Sequence, residues 1–167
     1  MMLTTLRLPG NVERLCSDLQ TQLFREHGLV GARVLPPIVP LLWSAEAPAL
    51  GGLEPAPLPP VTLGGLRSDA GGLQLEVTPA APIRELARRL GAGPASPDRE
   101  VPFEFTTAGV LLAPPPVAGL RDAGAAPAGV VVRSFLLQVI EVVVWEIGAP
   151  QRVVWREHAS RRLRKLR

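Results

Sequence analysis

The chain has 167 residues, 47% of them hydrophobic and 20% charged, a globular composition that excludes a wholly disordered or fibrous protein. Its net charge of +3 is unevenly placed: residues 151–167 carry seven Lys or Arg against one Glu, a net +6, which leaves residues 1–150 at −3. A single Cys16 excludes an internal disulfide, the apolar stretch before Arg7 is too short for a secretory signal, and the most apolar run, 130–147, is interrupted by Arg133, Gln138, Glu141 and Glu146, so neither secretion nor a membrane partner is expected.

Leu3 to Leu8 reads as a first strand, followed by a Pro9-Gly10 turn and a helix with Asn11 as its N-cap. Val12, Leu15, Cys16, Leu19 and Leu23 recur at three- and four-residue spacing and form the predicted buried stripe, with Gly28 as the stop after His27. Cys16 is thus expected as a buried, unreactive thiol, in keeping with a reducing cytoplasm. From Ala32 to Trp43 the chain must be extended, because Pro36, Pro37 and Pro40 exclude helix. Pro40 has no N–H for a ladder, so it requires an edge, a bulge or an unpaired position.

Residues 44–60 read as a loop. Strands over 61–66 and 73–77, joined by Asp69-Ala70-Gly71-Gly72, make a hairpin whose alternation predicts one buried and one wetted face. Pro82 opens a second amphipathic helix, with Ile83, Leu86, Ala87 and Leu90 inward and Gly91 at its end. A Gly/Pro loop leads through Phe103-Glu104-Phe105 to an apolar strand, Gly109 to Ala113. Residues 130–147 supply one bent strand or two pairing strands, and Val153-Val154 with Trp155 close a sheet. Beyond them a helix from Trp155 to Leu166 is expected, with Ala159, Leu163 and Leu166 on one side and cations over the rest.

The two halves repeat one plan, strand, helix, turn and apolar strand: Asn11 lies 27 residues before Ile38, and Pro82 lies 27 before Gly109. The framing of the two apolar segments, Ile38-Val39-Pro40-Leu41 after Pro36-Pro37 and Gly109-Val110-Leu111-Leu112 after Phe103-x-Phe105, resembles the two catalytic strands of the 2H phosphoesterases, the superfamily of the bacterial 2′-5′ RNA ligases. The resemblance implies an α+β fold in which two βα lobes, interleaved over 1–151, hold antiparallel sheets about a central groove, with 152–167 as a basic C-terminal extension. In that family two His remove and donate protons and two Thr or Ser hold the phosphate. Here Ile38 and Gly109 stand at the His positions and Pro40 and Leu111 at the hydroxyl positions, so no catalytic residue is assigned and 2H chemistry is not expected.

What remains is a binding or interaction role. The groove positions Ile38, Pro40, Gly109 and Leu111 suit a protein segment or a small apolar ligand. The alternative is an RNA-end or cyclic-phosphate phosphoesterase, or an RNA-binding protein, using another site. Thr106 and Thr107, together with Arg152, Arg156, Arg161, Arg162, Arg164, Lys165 and Arg167, are the candidate contacts to phosphates or to an acidic partner. Trp155 beside Arg152 and Arg156 is read as packing before stacking on a base, and Trp43 and Trp145 as core. His27 reads as a helix-end residue and His158 as solvated. No metal or cofactor is expected, since no Cys-x-x-Cys, Gly-x-Ser-x-Gly or phosphate-loop signature occurs.

Overall fold

The computed structural model describes residues 1–48, 50, 58–91, 101, 103–104, 108–117, 126–145 and 153–163. Eight strands and two helices are described: β1 (Met2–Arg7), α1 (Gly10–His27), β2 (Ile38–Ser44), β3 (Val61–Asp69), β4 (Gly72–Thr78), α2 (Ala81–Leu90), β5 (Gly109–Ala113), β6 (Val131–Val132), β7 (Leu136–Trp145) and β8 (Val153–Arg162). A 3-10 turn over Val30–Arg33 links α1 to β2. All strand pairs are antiparallel and form one sheet in the order β6-β3-β4-β5-β2-β1-β7-β8, an α+β architecture.

That order is a palindrome of two half-sheets, β8-β7-β1-β2 with α1 and β6-β3-β4-β5 with α2. The repeat extends to residue numbers: α1 and α2 begin 71 positions apart, at Gly10 and Ala81, and so do β2 and β5, at Ile38 and Gly109. Even the irregularities match. The β1–β2 register passes from Leu42 to Pro40, leaving Leu41 as an extra residue, and the β4–β5 register passes from Ala113 to Leu111, leaving Leu112. The bulge at Leu41 directly follows Pro40, which resolves how a residue with no N–H is held between β1 and β5. The halves join edge to edge in one sheet, β2 to β5, through the pair Ile38↔Leu111.

Both helices cover one face. Val12, Cys16, Leu19 and Leu23 of α1 and Ile83 and Leu86 of α2 share a core with Leu6, Val39, Leu75 and Val110 of the sheet. Buried Gln20 of α1 donates from Nε2 to the carbonyls of Leu35 (3.0 Å) and of the bulged Leu112 (2.8 Å), so one side chain ties the helix to the approach of β2 and to β5.

Several expectations are corrected. The N-cap of α1 is Pro9, without a side-chain cap, and Asn11 lies inside the helix. Leu15 is 46% exposed, because α1 turns only a narrow stripe to the sheet. The run 130–147 gives two strands that do not pair with each other: β6 adds to β3, and β7 lies between β1 and β8 at the far end. The expected helix over Trp155–Leu166 is a strand over Val153–Arg162, because β7 offers it a ten-residue ladder partner. The first part of the segment read as an extension is therefore the outer strand of the sheet.

Candidate binding site on the helix-free face

Residues directly opposite one another in a ladder share a face. On the side away from the helices, Leu3, Thr5 and Arg7 of β1 stand beside Trp43, Pro40 and Ile38 of β2, and beside Ile140, Gln138 and Leu136 of β7. Leu111 of β5 lies opposite Ile38 on one side and Gln74 of β4 on the other, and Gly109 lies opposite Glu76. Ile38, Pro40, Gly109 and Leu111 therefore come together on one floor at the seam of the two lobes, and all four are buried.

A second apolar cluster includes this floor. Leu3, Ile38, Leu111 and Ile140 from the strands join Val34 and Leu35 from the approach to β2, and Phe103, which belongs to no helix or strand. Only 4% of Phe103 is exposed. Its ring meets Trp43 edge to face at 5.3 Å, and the Trp43 indole N–H donates to the Phe103 carbonyl at 2.9 Å. Aromatic pairs in this geometry add about 0.5–1.5 kcal/mol beyond area burial.

Gly109 is fixed by its neighbour. A Cβ there would lie 2.6 Å from Gln74 Oε1 and 2.9 Å from the Leu75 carbonyl oxygen. The Gln74 carboxamide, oriented by a 3.4 Å hydrogen bond from Nε2 to Asp69 Oδ1, takes the space that any side chain at 109 would need. Gln74 was expected on a wetted face. It is buried, while Glu76, two residues on, is exposed. Thr5 sits amid Leu3, Pro40 and Gln138, fully buried, and its hydroxyl has no hydrogen-bond partner among the described residues. Gln138 donates instead to Glu157 of β8 at 2.9 Å.

The chemistry available on this floor is apolar contact with one free hydroxyl. Ile38, Pro40, Gly109 and Leu111 carry no group able to exchange a proton. Among the described residues no three His, Cys, Asp or Glu come together as metal ligands would. His27 and His158 are exposed, in the last turn of α1 and on β8.

The basic candidates are only partly described: Thr106, Thr107, Arg152, Arg164, Lys165 and Arg167 lie outside the described residues, as does the side chain of Trp145. Arg156 pairs with Glu141, whose carboxyl is held below its usual range by the Arg156 hydrogen bond, and Arg161 donates to the Leu50 carbonyl. Arg162 is exposed, and Trp155, 36% exposed, is surface rather than core. The sequence reading singled out neither Thr5 nor Phe103 as part of the site. Phe103 was read as part of the Phe103-x-Phe105 framing before the second apolar strand, and Thr5 as a strand residue.

No protein-family model matches the chain, and no curated protein matches it. Two solved structures are similar, those of E. coli LigT complexed with 3′-AMP and with ATP, at TM-scores of 0.41 and 0.42 and 15% identity. The matches cover 97% of this chain, and 97% and 96% of those chains. At that identity the likeness is one of fold alone.

Proposed function

We propose that this chain is a non-catalytic binding protein on a 2′-5′ RNA ligase-like scaffold, with the apolar floor at the lobe seam as its binding surface. The observation that carries this reading is the state of the four seam positions: Ile38 and Leu111 are buried ladder partners, Pro40 has no polar side chain, and the space at Gly109 is taken by Gln74. Loss of general acid–base groups forfeits about 10²- to 10⁴-fold each, so proton transfer at both ends of a phosphoester is not available from these residues. Purified protein offered a 2′,3′-cyclic nucleotide is expected to give no turnover above the uncatalysed rate. Turnover that is lost with His27→Ala or His158→Ala would overturn the reading and establish a phosphoesterase with a different acid/base pair.

A second reading, contact with RNA through β8, is favoured by the exposure of Trp155 and Arg162 on an outer strand. It is weakened by the engagement of Arg156 with Glu141 and of Arg161 with Leu50. Binding of single-stranded RNA that falls steeply with added salt and drops with Trp155→Ala would support it.

A further inference from the structure

We infer that the outer edge of β8 is a docking site for an extended acidic segment of a partner protein, which joins the sheet antiparallel to β8 as a further strand. This surface is separate from the seam floor, and the inference goes beyond the binding role proposed for it. The two ends of the sheet are unequal. β6 closes one end with two residues, whereas β8 closes the other with ten. Short edge strands such as β6 are a common guard against unwanted pairing, and β8, about 33 Å long at the usual rise, has no such guard. Among the described residues β8 pairs with β7 alone, and no backbone group of a loop or helix bonds to 153–162. The chain is exposed from Val154 to His158 and again at Ser160 and Arg162. A ladder on one side leaves alternate N–H and C=O groups of the strand turned outward, where an added strand can take them.

The side chains choose the occupant. On the helix-free face β8 carries Trp155, Glu157, Ser160 and Arg162, opposite Val142, Ile140, Gln138 and Leu136 of β7. Glu157 is taken up by Gln138, so the exposed ends of this row are an aromatic ring and a cation. All strand pairs in this sheet are antiparallel, the more stable pairing. An antiparallel partner meets Arg162 with its first residues and Trp155 with its last, which suits acidic side chains followed by apolar ones. A second copy of β8 is a poor occupant: each copy brings Arg156, Arg161 and Arg162 against Glu157 alone, and like charges facing across a ladder destabilise it. RNA is less well served than a strand. Its phosphates need cations, and Arg156 is held by Glu141 and Arg161 by the Leu50 carbonyl, while the outward backbone is open to a peptide.

The test titrates the full chain with a synthetic peptide as long as β8, Glu-rich in its first half and built of Val and Thr in its second, followed by calorimetry and hydrogen exchange. The peptide is expected to slow exchange at 154–162 and to leave α1 and α2 unchanged. Arg162→Glu should weaken it at least about fivefold, and Arg162→Gln, about twofold, serves if the charge reversal does not fold. Two further peptides are methylated on alternate backbone nitrogens. One set should abolish binding and the other stay within about twofold, because only every second N–H of an added strand faces β8. Equal behaviour of the two methylated peptides reduces the contact to charge and overturns the inference. So does β8 exchange that is as slow as that of β7 before any peptide is added, with no peptide bound, since the edge is then already covered. A dimer that protects β8 without peptide assigns the edge to a second copy, and oligouridylate that the peptide cannot displace assigns it to RNA; either overturns the inference. None of these outcomes bears on turnover of cyclic nucleotide, so the two readings fail separately.

Discussion

At the scale of single residues, Gly109 separates a vacant position from a filled one. If the position were merely vacant, a side chain would fit. Instead a Cβ meets the Gln74 carboxamide and the Leu75 carbonyl oxygen at 2.6 and 2.9 Å, and the second of these is backbone that cannot swing aside. Gly109→Ala is therefore expected to cost about 1–3 kcal/mol, and Gly109→His more, measured as a fall in the urea midpoint. Pairing Gly109→His with Ile38→His should lower stability without bringing turnover of cyclic nucleotide. Cys16 gives a second prediction. Burial, aided by Glu13, pushes its thiol up to about 11 from an ordinary 9.0. The folded chain thus keeps a proton that the unfolded chain releases, so stability is full below about pH 9 and falls as pH rises from there toward 11. The loss reaches up to about 2–3 kcal/mol. The sequence holds no Tyr and a single Lys, so little else titrates in that window. Unfolding measured across it should slope downward in the natural chain and flatten in Cys16→Val.

At the scale of elements, Gln20 has the largest expected effect outside the apolar core. Gln20→Leu removes the donor shared by the Leu35 and Leu112 carbonyls and is expected to cost about 1–3 kcal/mol with an unchanged dependence on urea. No local pattern marked this residue, because its partners lie 15 and 92 positions away. Elements set by short-range chemistry were legible: both helices from their apolar stripes and terminal glycines, the β3–β4 hairpin from its turn, β2 from its prolines. What the sequence concealed depended on distant partners. Ala159 and Leu163 fit a helical period, but they also fit the inward side of a strand beside β7, and the ladder decided between them. Gln74 alternates as an outward residue should. It is buried because Gly109, 35 positions on, leaves room for it. That Ile38, Pro40, Gly109 and Leu111 share one face, and that Phe103 packs with Ile38 and Leu111, depended on pairings and contacts far apart in sequence.

At the scale of the whole molecule, the duplicated halves share one sheet and one helix-side core, so they are expected to unfold together. Far-ultraviolet dichroism and tryptophan emission should report a single coincident urea transition, and separate transitions for the two probes would show that the seam transmits little. The strand order also sets the sequence of events during synthesis. β1 and α1 emerge first from the ribosome, yet β1 needs β7 on its other side, and β7 begins at Leu136. The second half, by contrast, takes only β3 to β6, a nearly continuous stretch, and is complete by Val132. The first of these two lobes to be translated is therefore the last to close, and its apolar strand and helix must wait with one edge open until β7 has been made, a period in which a nascent-chain chaperone would have its greatest hold on this protein.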